Sequence, residues 1–382
     1  MRRIGVDPAG IRIMAPKQFH YNLKVDGLSP AQANVIKQEM LSLGGEAAVA
    51  RGAASCTVPS SGAILSGTLR QFGLLLEKLK YQSFGLSGVG EALSVVLENI
   101  SKRDMLLKGR DKEWHLGRKT IIMGILNVTP DSFSDGGRFL DRSAAIDKAL
   151  KMAEEGSDWI DIGGESTRPG AKPVAVEEEL GRVLPVVEAL SGKGLTVSVD
   201  TTKAKVAEEA LKAGAQIIND VSALRFDADM ARVVAEFKCP LILMHMRGTP
   251  GDMQKDVVYK DLTGEVYNFL SERVECAVSS GIGRDRLVID PGLGFGKSRE
   301  GNIELITRLR EFRSMGLPIL IGASRKSFIG KTIGANEDGR LIGSIAMSVA
   351  AIQNGADILR VHDVKETVQA ARMADEMKAL AR

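Results

Sequence analysis

Apolar and polar residues follow one another in blocks along the last two thirds of the chain. The block at residues 121–137 shows the pattern most clearly, since an apolar run, IIMGIL, precedes Asn127 and a polar stretch rich in Pro and Gly. An apolar run without polar alternation, too short for a typical helix, is typical of a strand buried on both faces. The Pro and Gly residues that follow predict a loop. The block therefore predicts a buried strand that ends at the polar side chain of Asn127.

The same block recurs along the chain from residue 119 onward. Strands are predicted at residues 120–127, 159–163, 196–200, 216–219, 241–245, 287–290, 319–322 and 358–362. Helical patterns, among them one at residues 303–315, fill the intervals, and several end at a glycine. Alternating strands and helices imply a parallel sheet, and eight pairs in roughly 260 residues match a closed barrel. An open doubly wound sheet is the alternative, but no GxGxxG motif follows the first strand.

The first hundred residues predict a separate small α/β domain. Short strands are predicted at residues 11–14, 19–25, 47–49, 56–58 and 63–65. Ser29, Pro30 and Gln32 predict the start of a helix, because Ser29 can cap it and Gln32 can return to the cap amide. Two further amphipathic helices are expected around residues 69–79 and 91–100.

These patterns predict an α/β fold with three parts. An N-terminal domain whose role the sequence does not assign covers residues 1–102, and a charged linker with a strand expected near residues 114–116 covers residues 103–118. An eight-stranded parallel β/α (TIM) barrel covers residues 119–382. Any candidate chemistry is expected in the barrel, because no catalytic constellation is evident in the first hundred residues.

Composition argues against several classes of protein. The 382 residues carry a formal net charge of +3, which is too small for the basic footprint of a nucleic-acid-binding protein. No stretch reaches ~18 uninterrupted apolar residues, so no membrane span is expected, and no signal peptide is expected after Met1. Three cysteines lie far apart without a CxxC motif, which favours a reducing, cytoplasmic environment over a disulfide framework.

Polar or charged side chains stand at the carboxyl end of nearly every predicted barrel strand. They are Asn127, Asp161, Asp200, Asn219, His245, Asp290, Ser324, Lys326, Arg360 and His362. A stable barrel does not require polar residues at these positions, whereas barrel enzymes carry their chemistry at this end of the strands. The set therefore predicts a functional site at the mouth of the barrel.

The types of residue in this set indicate the chemistry of a ligand. Asp200, Asn219 and Asp290 suit the donor–acceptor edge of a flat heterocycle such as a pterin or a purine. The cationic or protonatable side chains, which suit a phosphate or diphosphate, are Lys326, Arg360 and His362. The site is therefore expected to bind a heterocycle that is joined to an anion.

Two glycine-rich segments follow predicted strands. Residues 290–298, DPGLGFGKS, end like a phosphate-binding P-loop, but Pro291 occupies the position of its first glycine, so nucleotide hydrolysis is not predicted. Its glycines instead let the backbone approach a ligand, with Phe295 as an apolar wall. Residues 163–170, GGESTRPG, predict either a surface loop or a lid over an anion. No catalytic triad or His/Asp/Glu metal cluster is evident, whereas Asn127 offers an oxygen that Mg²⁺ can bind alongside substrate phosphates.

Eight motifs in order resemble those of the dihydropteroate synthase family. They are MGILNVTPDSFSDGG (123–137), DIGGESTRPGA (161–171), SVDTTK (198–203), IINDVSAL (217–224), LMHMRGTP (243–250), DPGLGFGK (290–297), GASRKSFIG (322–330) and RVHDV (360–364). The resemblance covers about residues 119–382. It implies a pterin-binding barrel that joins 6-hydroxymethyl-7,8-dihydropterin diphosphate to p-aminobenzoate, giving 7,8-dihydropteroate and pyrophosphate in folate synthesis. It also implies a homodimer, Mg²⁺ as cofactor and a target of sulfonamides.

The resemblance also implies a role for each matching residue. The pterin would be held by Asp200, Asn219, Asp290 and Lys326, with Val221 and Met244 nearby. The diphosphate would be held by Thr167, Arg360 and His362, and the p-aminobenzoate pocket would be bordered by Arg168, Pro169, Phe295 and Ser324. Asn127 would bind Mg²⁺, and the expected catalytic residues are Asp200, Asp290, Lys326 and Arg360.

Two other functions are compatible with parts of this pattern. A pterin-barrel methyltransferase acting on methyltetrahydrofolate would share the pterin acids, but it has no use for Thr167, Arg360 and His362. A catalytically silent pterin-binding or regulatory protein would act through the N-terminal domain. The intact cationic set argues against the second alternative, and an assay of pyrophosphate release decides between it and the synthase.

Overall fold

Contacts along the chain divide it into two units, Met1–Ser101 and Lys102–Arg382. The computed structural model describes residues 1–129, 137–166, 170, 173–253, 257–336 and 338–380. The strands of the first unit form one antiparallel sheet in the order β1 (His20–Leu28), β3 (Ser61–Thr68), β2 (Glu46–Val49). Its helices are α1 (Pro8–Met14), α2 (Pro30–Ser42), α3 (Leu69–Leu79) and α4 (Leu86–Ser101).

Helix α2 begins where the sequence predicts. The Ser29 hydroxyl accepts a hydrogen bond from the Gln32 amide at 3.2 Å, and the Gln32 side chain accepts one from the Ser29 amide at 2.8 Å. Thr68 and Gln71 form the same capping box at the start of α3. The apolar faces of α2, α3 and α4, including the fully buried Phe72, pack with the inner face of the sheet into a core of their own.

Two of the short strands predicted in the first unit are not found there, although all of that unit is described. Residues 11–14 belong to α1, because the Asp7 carboxylate accepts a hydrogen bond from the Ala9 amide at 2.7 Å and Pro8 fits the first helical turn. Residues 56–58 lie in a turn in which Cys56 has a φ of 53°. That left-handed conformation is incompatible with the extended backbone of a strand.

The second unit contains one sheet of eight parallel strands. In chain order they are β6 (Ile121–Asn127), β7 (Trp159–Gly163), β8 (Val197–Asp200), β9 (Ile217–Asp220), β10 (Leu241–Met244), β11 (Leu287–Asp290), β12 (Leu320–Ile321) and β13 (Ile358–Val361). Neighbours in sequence pair from β6 to β11, and β13 pairs with both β6 and β12. A parallel bridge between Ile289 and Ile319 joins the two edges of the sheet into a barrel. The predicted α/β barrel is confirmed.

Helices surround the barrel and bury the outward faces of its strands. They are α5 (Gly137–Glu154), α6 (Val176–Ser191), α7 (Ala204–Lys212), α8 (Met230–Phe237), α9 (Leu262–Ser279), α10 (Arg299–Thr307), α11 (Ser327–Ile333), α12 (Leu341–Gln353) and α13 (Val364–Leu380). The helix predicted at residues 303–315 is divided into the end of α10 and a 3-10 helix at Leu309–Met315. Helix α11 has no counterpart in the sequence prediction. Within the described ranges, no helix is long and apolar enough to cross a membrane.

The stretch predicted as a linker contains a hairpin that belongs to the second unit. Strands β4 (Met105–Lys108) and β5 (Glu113–Leu116) pair antiparallel. Their buried side chains pack against residues at the amino ends of the barrel strands, and Trp114 meets Trp159 edge-on with 5.5 Å between ring centroids. The hairpin therefore fills the amino end of the barrel, and the carboxyl end is left for a site.

Candidate functional site

Four polar side chains from four strands form one hydrogen-bonded network at the carboxyl end of the barrel. Arg360 of β13 donates from Nε to Oδ2 of Asp161 at 2.6 Å and from Nη2 to Oδ2 of Asp200 at 2.7 Å. Asn219 of β9 donates from Nδ2 to the same Asp161 oxygen at 3.0 Å. Asp161, Asp200 and Asn219 are all buried, Asp161 completely. The structure thus brings the predicted residues Asp200, Asn219 and Arg360 together around Asp161.

Asp161 was noted at a strand end but was not among the predicted binding or catalytic residues. Its carboxylate lies within reach of both Arg360 and Asn219, so it fixes the position of a cation and of an amide at once. The remaining oxygen, Oδ1, is buried and has no hydrogen-bond partner within the described part of the chain. The signal in the sequence is a charged residue at the centre of a short apolar strand, β7, that is buried throughout.

Asp290 and Lys326 lie on the opposite side of the same end of the barrel, on β11 and after β12. Asp290 accepts a hydrogen bond from the Gly292 amide at 2.7 Å. The Lys326 ammonium lies 4.1 Å from the centroid of the Phe295 ring, a distance that allows a cation–π interaction. Asp290 interacts electrostatically with both Lys326 and Arg360, which places it in the same charged environment as the Asp161 network.

Burial changes the acid–base behaviour of the two predicted pterin-binding acids. It raises the pKa of Asp200 to about 7, although the Arg360 guanidinium opposes this shift and Asp161 adds to it. It also raises the pKa of Asp290 to about 6, against the opposing effects of the Gly292 amide and Lys326. Both carboxyl groups can therefore gain or lose a proton close to neutral pH. A ligand that presents N–H donors would favour their ionised forms.

Ser324 and His362 form a hydrogen-bonded pair beside Arg360. The Ser324 hydroxyl lies 3.1 Å from Nδ1 of His362 and accepts a hydrogen bond from the His362 amide at 3.1 Å. Burial lowers the pKa of His362 to about 3, with further lowering by Arg360 and Arg325. The imidazole is therefore neutral at physiological pH. It can offer a hydrogen bond to an anion, whereas the residue type alone suggested a cationic group.

An apolar cluster lies at the same end of the barrel. Its members are all buried and comprise Val221, Met244, Met246, Met253 and Phe295. Val221, Met244 and Phe295 were predicted to border the ligands, whereas Met246 and Met253 were not. Flexible methionine side chains suit an aromatic ring system, because they adapt to its faces and make favourable sulfur–aromatic contacts.

Asn127 ends β6 next to the network. Gly163, the last residue of β7, leaves the space between them open: a methyl group there would lie 3.7 Å from Oδ1 of Asn127 and 3.8 Å from Cβ of Asp200. The amide oxygen of Asn127 therefore faces the same space as Asp200. Within the described residues, no group of three or more His, Cys, Asp or Glu could hold a metal ion.

The predicted residues Thr167, Arg168 and Pro169 lie outside the described residues. The chain on either side of them is held by a partly buried ionic cluster that sequence reasoning missed. Lys203 donates from Nζ to Oε2 of Glu165 at 2.5 Å and also bonds to Glu179, which is fully buried on α6. The other Glu165 oxygen accepts a hydrogen bond from the Val174 amide at 3.0 Å. Glu165 thus joins the two ends of the segment between residues 165 and 174.

Comparison with known proteins agrees with this geometry. Residues 123–362 match the family described as pterin binding enzyme. The dihydropteroate synthase of Synechocystis is 46% identical over 263 residues, which are 68% of this chain and 91% of that protein. A probable bifunctional folylpolyglutamate synthase/dihydropteroate synthase of Halobacterium salinarum is 44% identical over 375 residues, or 98% of this chain. Because these residues are 45% of that protein, the chain spans less than half the length of its bifunctional relative.

Solved structures resemble the barrel unit. The Yersinia pestis dihydropteroate synthase, solved with a sulfonamide drug complex, superposes with a TM-score of 0.68 at 43% identity, over 72% of this chain and 100% of that one. The Xanthomonas albilineans dihydropteroate synthase, solved with 4-aminobenzoic acid, superposes with a TM-score of 0.68 at 46% identity, over 72% of this chain and 99% of that one. On the family match and on the extent of these similarities, the chain belongs to the dihydropteroate synthase family of pterin binding enzymes.

Proposed function

We propose that this chain condenses 6-hydroxymethyl-7,8-dihydropterin diphosphate with p-aminobenzoate to form 7,8-dihydropteroate and pyrophosphate, a step of folate biosynthesis. The observation that carries the proposal is the network in which Arg360 joins Asp161 and Asp200 while Asn219 bonds to the same Asp161 oxygen. It combines acceptors and an amide for the edge of a heterocycle with a cation for an anionic tail.

Pterin recognition follows from the types of group that converge. An amino-pyrimidinone edge presents N–H donors beside a carbonyl oxygen, which match a carboxylate together with an amide. Asp290 and Asp200 are buried carboxyl groups at this end of the barrel, and Asn219 is a buried amide there. Hydrogen bonds to an ionised carboxylate are shorter and stronger than neutral ones, so ionisation of these acids would accompany binding. The buried methionines Met244 and Met246 would contact the rings.

The reaction forms a C–N bond from the amine of p-aminobenzoate to the exocyclic methylene of the pterin and breaks the C–O bond to the diphosphate. The amine then loses a proton to solvent, and pyrophosphate leaves with the bonding electron pair. An arylamine is unprotonated at neutral pH, so the demanding part is the leaving group. Arg360 and Lys326 would stabilise its developing charge, and the neutral His362 would contribute a hydrogen bond. Ionised Asp200 and Asp290 would stabilise positive charge on the pterin.

Asn127 fits a magnesium ion carried by the substrate. Its oxygen faces the space beside Asp200, and it is a single hard ligand without a surrounding cluster of acids in the described residues. Mg²⁺ commonly takes one or two protein oxygens and completes its coordination with phosphates and water. Bound there with the diphosphate, Mg²⁺ would neutralise part of the leaving-group charge.

A homodimer built through α12 and α13 is part of this proposal. Met373, Met377 and Leu380 recur along one face of α13 and are 63%, 53% and 87% exposed, and Ile342 of α12 is 79% exposed. An exposed apolar stripe of this kind marks an interface more often than free surface. Sedimentation of the chain and of a Met377→Lys variant would test the dimer, which the variant should weaken. A cytoplasmic location is also proposed, because all three cysteines are free.

The function is tested by measuring pyrophosphate release from the purified chain. Release should require both the pterin diphosphate and p-aminobenzoate, and Asp200→Ala should abolish it while the chain stays folded. Asp285→Ala, at an exposed ion pair with Lys108, is the matched control and should keep full activity. Transfer of a methyl group from methyltetrahydrofolate would favour the methyltransferase instead. Pterin binding without turnover would favour a silent binding protein.

A further inference from the structure

The lysine of the DPGLGFGKS segment points into its own loop. Lys297 is 4% exposed, and its ammonium lies 2.9 Å from the carbonyl oxygens of both Gly292 and Phe295. It also lies 2.8 Å from Nδ1 of His245 and 3.4 Å from the His245 carbonyl oxygen. In a P-loop the corresponding lysine reaches toward phosphate, whereas here it binds backbone carbonyls at the back of the site.

The loop that Lys297 fixes carries two groups of the site. At the start of the loop, the Asp290 carboxylate accepts a hydrogen bond from the Gly292 amide. The position of Gly292 therefore sets the orientation of that carboxylate. Further on, the Phe295 ring packs under the ammonium of Lys326. The loop has little freedom at Gly292, which has a φ of 70° and where a Cβ would lie 1.9 Å from the His245 carbonyl oxygen. One ammonium thus ties together β10, Gly292 and Phe295.

The charges around Lys297 make it an electrostatic partner of the site as well as a structural one. Burial lowers the pKa of Lys297 to about 7, with Asp290 opposing this shift and Lys326 adding to it. Burial lowers the pKa of His245 to about 2, and Lys297, Arg225 and Arg247 lower it further. His245 is therefore neutral, and accepting from Lys297 at Nδ1 requires its hydrogen to be on Nε2. Asp290 is the anionic partner of the Lys297 ammonium.

We propose that Lys297 is a positioning residue for pterin binding, which orients the Asp290 carboxylate through the Gly292 and Phe295 carbonyls and favours its ionised form. The inference rests on the proposed function, because it takes the pterin as the ligand of Asp290. Lys297 itself contacts backbone and His245, and it acts on substrate through the loop.

The test compares pterin binding with and without the charge. The probe is 6-hydroxymethyl-7,8-dihydropterin diphosphate, titrated by fluorescence into the full chain between pH 5.5 and 8 without p-aminobenzoate. For Lys297→Met we expect Kd at pH 7 to rise about tenfold, and the pH midpoint below which binding weakens to move upward. Lys297→Gln, which keeps donors for the carbonyls but no charge, should show the same movement of the midpoint.

Tyr259→Phe provides the matched control. It removes another hydrogen bond to the same loop, from the Tyr259 hydroxyl to the Gly296 carbonyl at 2.8 Å, without removing a charge. Its pH midpoint should stay that of the natural chain. In an Asp290→Asn background, Lys297→Met should produce no further movement of the midpoint, because the group that it influences no longer titrates.

Each other outcome overturns a distinct claim. If the natural chain binds the probe and Lys297→Met binds it with the same Kd and pH midpoint, the role of Lys297 is wrong and the proposed function stands. An equal midpoint shift in Tyr259→Phe also overturns that role, since a change in loop packing would then suffice. If circular dichroism shows both Lys297 variants unfolded, the lysine serves the fold and the proposal fails. Absence of binding to the natural chain overturns the proposed function itself.

Discussion

Nε of Arg360 donates to Oδ2 of Asp161 across 2.6 Å, and this bond joins the last strand of the barrel to its second. The same oxygen accepts from Asn219, so one carboxylate holds two groups that were predicted to bind substrate. Without Asp161, the Arg360 side chain would have a single anionic partner, Asp200. Asp161 is therefore as important for the geometry of the site as the residues that would contact the ligand.

Replacing Asp161 by Asn should destabilise the chain and slow turnover. The change removes one of two anionic partners of a buried guanidinium, and removal of one member of a buried ion pair costs about 3–5 kcal/mol. We expect a loss near the lower end, because Asp200 still pairs with Arg360. Urea unfolding and the pyrophosphate assay measure the two effects. Asp111→Asn, at an exposed pair with Arg110, should change stability by less than about 1 kcal/mol.

Replacing Lys203 by Met should leave the buried Glu179 without its cationic partner. We expect a loss of about 3 kcal/mol in the free energy of unfolding. We also expect a raised KM for p-aminobenzoate, because Glu165 precedes Arg168 and Pro169, which were predicted to border that pocket, and would lose its bond to Lys203. The nearby Lys205 forms only exposed pairs on α7, and Lys205→Met should be almost neutral. Equal effects of the two substitutions would contradict an anchoring role of Lys203.

His362 should make the folded chain sensitive to acid. Its pKa is about 3 in the folded state, mainly because of burial, and about 6.5 when unfolded. Below pH 6.5 the unfolded state binds the additional proton, so stability falls as the pH drops from 6.5 towards 3. His362→Gln should therefore recover about 3 kcal/mol relative to the natural chain at pH 4.

The comparison must be made between variant and natural chain at each pH. The raised pKa values of Asp200 and Asp290 have the opposite effect on stability. As the pH falls from about 7 to 4, these two carboxylates bind protons more readily in the folded state than in the unfolded state, which stabilises the folded state. His115→Gln, at an exposed surface position, provides the control for the substitution itself. The difference in the free energy of unfolding between His362→Gln and the natural chain should grow as the pH is lowered from 7 to 4. A constant difference would argue against a buried neutral imidazole.

Gly292→Ala should be severely destabilising. Its φ of 70° strains any L side chain, and the new methyl group would meet the His245 carbonyl oxygen at 1.9 Å. Gly281 has a φ of 90° but no neighbour closer than 4.0 Å, so Gly281→Ala measures conformational strain alone, about 1–2 kcal/mol. We expect the first substitution to cost more than the second in thermal or urea unfolding. Similar costs would show that the loop around Gly292 can move away.

The barrel strands could be predicted from the sequence because they are short apolar runs, buried on both faces, that end at polar residues such as Asp200 and Asp290. The role of Asp161 could not, because its bond to Arg360 joins residues 199 positions apart and many polar strand ends look alike in a sequence. The inward direction of the Lys297 side chain could not be predicted either. Its partners are mainly backbone carbonyl oxygens, which every residue type has, so the sequence contains no signal for them.

The predicted linker shows how charge can conceal a packed element. Buried and more exposed positions alternate in both strands, as at Trp114 between Glu113 and His115, and this period of two is typical of a strand with one buried face. The strand expected near residues 114–116 is β5, whereas its partner β4, in the same charged segment, was not predicted. The N-terminal helix α1 was missed because the predicted strand at residues 11–14 ignored the capping signal of Asp7 and Pro8.

The hairpin also determines at which residue the chain can be truncated without disrupting the barrel. Trp114 and the other buried residues of the hairpin pack against Ile121, Trp159 and Ile358 at the amino end of the barrel. A shortened protein that started at about residue 119, where the family resemblance begins, would lack the hairpin. The apolar side chains at the amino end of the barrel would then be exposed to water. The smallest fragment that keeps the barrel intact should therefore start at Lys102, and its stability depends on a stretch that lies outside every recognised motif.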